Sequence, residues 1–166
     1  MKSSSSRNIP VALALGVGIT IAANVGAQGL AQPTVVARLA AVTRLECRFA
    51  AVATGTWGED DSVASLSAAP AELEASFTNV DIQAGTAEAV SRFGSSFIVV
   101  RYAEGYLHLI QQIDIGPLYI TTIIAEQTAA GRFIAVHTRH EFAASRYAEF
   151  RERPKMYIGD CAAEGA

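Results

Sequence analysis

The residues best suited to chemistry sit together near the end of the chain, where His137-Thr138-Arg139-His140-Glu141 gathers two imidazoles, a guanidinium and a carboxylate. Such groups bind metals or transfer protons. Their spacing argues against a shared metal ion. In a strand, residues three apart point to opposite faces, so His137 and His140 meet one ion only across a bulge, and the helical two-histidine zinc signature needs i, i+4 spacing. Read as a strand, Phe133, Ala135, His137, Arg139 and Glu141 share one face and run from apolar to charged. That order describes either a cavity opening toward a charged mouth or an exposed rim. The remaining histidine, His108, lies between Leu107 and Leu109 and reads as a hydrogen-bonded wall residue. The ligand contacts assigned on this basis are Trp57, Tyr102, His108, His137 and Arg139, with no catalytic residue. An enzyme would need His137, Arg139 and Glu141 to converge with His108 or another titratable group in one cleft.

Other reaction types find little support. There is no Gly-x-Ser-x-Gly elbow, and its nearest imitation, Gly94-Ser95-Ser96, leads into a strand. Glu59, Asp60 and Asp61 lack the alternating spacing and closing glutamate of a calcium loop, and Glu72 and Glu74 read as solvated. No basic run or basic stripe interleaved with aromatics is present, which sets nucleic acid aside. No cofactor or metal is assigned. With 166 residues, 51% apolar and 17% charged, the chain can bury one core.

The first 27 residues read as a secretory signal peptide. Lys2 and Arg7 precede an uncharged apolar stretch from Ile9 to Val25, and Val25-Gly26-Ala27 suits cleavage before Gln28. Pro10, Gly16, Gly18, Thr20 and Asn24 interrupt the stretch, which is short for a membrane anchor. Removing two cations and no acid would turn the net charge of −3 into −5. A periplasmic or secreted product is expected, with no membrane span after processing. Cys47 and Cys161 are the only cysteines, and in that compartment they are expected to pair. Closing so long a loop stabilises a fold by roughly 4–5 kcal/mol in chain-entropy reasoning.

The elements that must position these residues are mostly strands. Residues 28–44 read as an N-terminal arm or short helix, and the domain proper runs from Leu45 to Ala166. Period-two alternation marks a first strand from Leu45, broken at Gly55; the Ser/Ala-rich stretch to Pro70 reads as loop, and regular structure resumes between Glu72 and Phe77. Gln83-Ala84-Gly85 turns the chain into Thr86–Val90. Ser96–Tyr102 and Tyr106–Gln112 form a hairpin around Ala103-Glu104-Gly105, which would set Tyr102 opposite Tyr106 and Val100 opposite His108. Leu118–Ala125 and Arg132–Phe142 form another, Ala144–Arg151 reads as a helical turn or two, and the tail from Met156 to Cys161 returns to the first strand. The sum is an all-β antiparallel meander of about seven or eight strands closed as a small barrel, with a sandwich as the alternative.

Gly55-Thr56-Trp57 resembles the Gly-x-Trp motif of lipocalins and their calycin relatives, exported β-barrels. The resemblance covers three residues. It implies a barrel closed at one end by Trp57, with a late-strand arginine, here Arg139, packed on it, and carriage of a small hydrophobic ligand. In those relatives the motif opens the first barrel strand, whereas here Trp57 follows a strand and is succeeded by Gly58-Glu59-Asp60-Asp61. Apolar residues on both faces of the central strands, Ile98, Val100, Ile110, Ile120 and Ile124 against Phe97, Val99, Leu107, Leu109 and Ile123, point to a non-catalytic binding protein. Its partner is a small hydrophobic molecule or, if the interior is filled by its own side chains, another protein of the cell envelope.

Overall fold

The computed structural model describes residues 32–57, 64–112, 116–140 and 154–165. The signal segment, the acidic run after Trp57, Glu141 and the helical turn expected at 144–151 lie outside these residues. One short helix, α1 (Val35–Ala40), precedes eight strands: β1 (Arg44–Trp57), β2 (Ala64–Asp81), β3 (Thr86–Ser91), β4 (Gly94–Ala103), β5 (Tyr106–Gln112), β6 (Leu118–Gln127), β7 (Phe133–His140) and β8 (Lys155–Glu164). Each strand pairs antiparallel with the next, and β8 pairs with β1, so the hydrogen bonds form a closed ring.

Alternation decides which residues turn inward. Leu45, Cys47 and Phe49 of β1, Ile98 and Val100 of β4, Leu107 and Leu109 of β5, Ile123 of β6 and Phe133 and Ala135 of β7 are all buried. One end of this interior is closed by the N-terminal segment. Thr34 caps α1, its hydroxyl accepting from the Ala37 N–H at 3.2 Å, and the helix sends Leu39 into the core, followed by Val42. Arg38 reinforces the stopper, with its guanidinium 5.7 Å from the centre of the Phe133 ring and a hydrogen bond to Gln127.

The seam between first and last strands is covalently fixed. Cys47 and Cys161 face each other directly in the β1–β8 register and are disulfide-bonded in the core. Two residues further along, Phe49 opposes Gly159, and beside this pair β1 carries a bulge between Phe49 and Ala51. A Cβ at Gly159 would collide with the Arg48 carbonyl oxygen, so the close approach of the two strands there requires glycine.

Three details differ from the sequence reading. The Ser/Ala-rich stretch is strand, not loop: Ala64–Pro70 pairs with Trp57–Ala51 as the outer half of a long hairpin. Small residues suffice there because both faces of that stretch are exposed, and Pro70 is tolerated because, among the described residues, β2 before Ser76 is bonded only to β1. The β4–β5 turn is also one residue tighter than expected. Ala103 pairs with Tyr106 around Glu104-Gly105, both with positive φ (50° and 85°), as the favoured two-residue turn demands. Tyr102 therefore opposes Leu107, Val100 opposes Leu109 and Arg101 opposes His108. That single step regroups the central strands: Leu107, Leu109 and Ile123 share the inside with Ile98 and Val100, while Ile110, Ile120 and Ile124 lie outside with Phe97 and Val99.

Candidate functional site

The end of the ring opposite α1 is built differently. Along β7 the buried sequence Phe133, Ala135, His137 ends at half-buried Arg139, and the neighbouring strands place Tyr119 and Thr121 (β6) on one side and Tyr157 (β8) on the other. Thr121 and His137 are directly opposed, as are His137 and Tyr157. His137 is 5% exposed, and the rings of Phe49, Tyr119 and Tyr157 surround it at centroid distances of 5.5, 6.1 and 5.9 Å.

Its hydrogen bonds assign its tautomer. Arg139 can only donate, and its Nε lies 3.0 Å from His137 Nε2, so that nitrogen carries the lone pair. The ring proton of the neutral imidazole is then on Nδ1, donated to Thr121 Oγ1 at 2.8 Å. Arg139 itself lies between two aromatic rings, 5.1 Å from the centre of Tyr119 and 5.3 Å from that of Tyr157. Thr121, His137, Arg139 and the two tyrosines thus form a connected polar and aromatic layer across one side of the interior.

Beside this layer is a cavity of about 250 Å³. Ala75 and Phe77 of β2, Ala89 of β3 and Leu109 of β5 give it an apolar wall; Ser96, Gln111, Thr121, His137 and Arg139 supply polar groups. Ser96 and Gln111 are hydrogen-bonded to each other at 3.0 Å across β4 and β5.

Of the residues assigned from sequence, His137 and Arg139 come together here, on the inward face their alternation implied. His108 does not join them. The β4–β5 register turns it outward, where Nδ1 meets Thr122 Oγ1 at 2.9 Å and its ring stacks with Tyr106. Tyr102 faces inward at the α1 end and donates its hydroxyl to the Val36 carbonyl at 3.2 Å, making it part of the stopper. Trp57 ends β1 opposite Ala64. Tyr119, Thr121 and Tyr157 were missed, although alternation from Ile123 along β6 and from Cys161 along β8 would have placed them beside β7 once the register was known. Among the described residues no group of three or more His, Cys, Asp and Glu side chains is placed to hold a metal ion. No protein-family model, curated protein or solved structure matches the chain.

Proposed function

We propose that this is an exported, non-catalytic binding protein whose ring of strands is a small barrel with one stoppered end, and that it takes a small molecule into the cavity at the other end. The observation that carries this reading is the conjunction of an apolar wall with convergent polar groups around about 250 Å³ of space. Binding sites typically combine an apolar lining with a few placed polar groups that fix orientation. The deep interior is occupied by the protein's own side chains, from Leu39 to Phe133, so the ligand is shallow and small rather than a long hydrophobic chain. The buried disulfide suits an oxidising compartment, and no helix among the described residues is long and apolar enough to cross a membrane.

Native mass spectrometry of the protein taken from its own exported fraction tests this. The expected species begins at Gln28, contains one disulfide and carries a reproducible small added mass. An intact Met1 would remove export, and a native species with no added mass would remove carriage.

One observation favours a second reading, a structural or interaction module of the envelope. Phe93 and Phe97, on the turn and second strand of the β3–β4 hairpin, are 85% and 84% exposed. Isolated exposed apolar residues are ordinary, but two such rings on one hairpin suit contact with another protein. A clean native mass together with co-purification of one stoichiometric partner, lost in Phe93→Ser/Phe97→Ser, would establish this reading instead.

A further inference from the structure

We propose that the open edge of β2 takes an extended segment of a partner protein as an added strand, one that turns apolar side chains toward the interior and basic side chains toward solvent. This deepens the interaction reading and rests on it. The site begins with a mismatch of lengths. β2 has 18 residues and β3 has 6, and the two pair only from Ser76 to Asp81. Before Ser76 β2 is still paired with β1, Ala75 with Cys47, Glu74 with Arg48 and Leu73 with Phe49. On its other side, among the described residues, the stretch 71–75 pairs with no strand. Backbone N–H and C=O groups that point away from β1 there are ready donors and acceptors for another chain.

Register fixes what an added strand meets. Leu73 and Ala75 pack against the core, and Glu72 and Glu74 face outward by alternation. A strand added antiparallel to β2 lies in line with β3, its near end at the turn that carries Phe93. Its residues opposite Leu73 and Ala75 then point inward. The cavity of about 250 Å³ reaches that place, since its lining includes Glu74 and Ala75 of the open edge and Ser91 at the end of β3. Phe77 and Leu109 give it apolar surface for an aliphatic side chain to cover.

Charge selects the occupant. Glu72 and Glu74 stand on the outer side of one short edge, with Arg48 of β1 at 3.5 Å from Glu74 and both of that pair largely exposed. Opposite charges directly across a strand pair stabilise it and like charges destabilise it. A segment with lysine or arginine opposite the two glutamates is therefore favoured. A second copy of this chain offering the same edge, antiparallel and in register, would bring acid against acid. Pro70 lacks an N–H and ends the usable ladder, which confines the added pairing to residues 71–75.

The experiment titrates synthetic peptides into the full mature protein with its disulfide intact: an alternating lysine and valine strand, the same strand with glutamate for lysine, and the lysine strand N-methylated along its pairing edge. Binding is read by fluorescence anisotropy and by hydrogen exchange of the edge-facing amides at 71–75. The lysine peptide is expected to bind roughly tenfold more tightly than the glutamate peptide and to slow that exchange, and N-methylation should abolish both effects. Glu72→Lys/Glu74→Lys should reverse the charge preference and the cavity-filling Ala89→Phe should weaken binding, each variant being checked for a native unfolding midpoint. Edge-facing amides already protected in the free monomer, or an N-methylated peptide that binds as well as its parent, would overturn the edge assignment. Protection that appears only with dimerisation at high protein concentration would overturn it in favour of a second copy. A stoichiometric partner lost in Phe93→Ser/Phe97→Ser, with no peptide bound, would leave the interaction reading standing and remove this site. No partner and no peptide binding would remove both.

Discussion

His137 shows how one side chain can be polar, buried and satisfied together. Its two ring nitrogens have different partners, and the donor-only chemistry of arginine settles which nitrogen holds the proton. Thr121→Val keeps the shape of the threonine but removes its hydroxyl from the buried hydrogen bond with His137. Chemical denaturation should show a loss of about 1 kcal/mol, the net contribution of one buried hydrogen bond. Glu46 presents a contrasting case at the outer surface. Its carboxylate accepts from the Ser76 hydroxyl and then from Arg44, which lowers its pKa below the usual carboxylate value. Because the folded-state pKa is the lower one, this adds stability above the unfolded-state pKa, and the contribution disappears as pH falls through the folded value. Ser76→Ala should therefore cost stability at neutral pH, by at most about 1 kcal/mol given the partial exposure of the carboxylate, and the difference from wild type should vanish in strong acid. Denaturation midpoints of the two proteins as a function of pH test this directly. At this scale the sequence was informative about types and faces. The inward alternation of Phe133, Ala135, His137 and Arg139 was legible from β7 alone, but their partners on β6 and β8 depended on a register that no single strand contains.

Elements are where the reading from sequence gained most and lost most. The hairpins were visible because glycine and β-branched residues mark turns and strands locally, and the return of the tail to β1 followed from the cysteines. The β4–β5 turn was misjudged by one position because Glu104 occupies a left-handed conformation that its residue type does not advertise. That shift carried His108 from the wall of a supposed pocket to the outside. The Ser/Ala-rich half of β2 failed for a different reason. Its strand character comes from pairing with β1, while its own composition resembles a loop. Gly159 provides a test at this scale. Adding one methyl group would force β8 away from the bulged part of β1, so Gly159→Ala should destabilise by about 1–3 kcal/mol as an overpacking change. A thermal midpoint unchanged from wild type would show that the seam can relax at that point.

For the molecule as a whole, two devices hold the ring near the same end. α1 plugs that end with side chains, the disulfide pins the seam beside it, and the polar layer with its cavity lies toward the other end. Replacing both cysteines by alanine should lower stability by roughly 4–5 kcal/mol if the unfolded chain gains the full freedom of the opened loop. Urea denaturation of the double variant, with the slope as well as the midpoint recorded, measures that loss. A loss near zero would mean that strand pairing alone holds the seam.

The position of the disulfide also determines how the protein responds to being pulled. Its cysteines are 114 positions apart in the chain, yet they belong to the first and last strands, so a load applied at the two ends reaches the cross-link before it reaches most of the ring. Everything between Cys47 and Cys161 lies in the slack branch of a covalent loop. Stretched under oxidising conditions, the molecule can pay out only the segments outside that loop. After reduction it would release roughly 3.3–3.6 Å per freed residue, on the order of 400 Å in all. Tethered by its ends in an extracytoplasmic space, such a protein would be a short link that reduction turns into a long one.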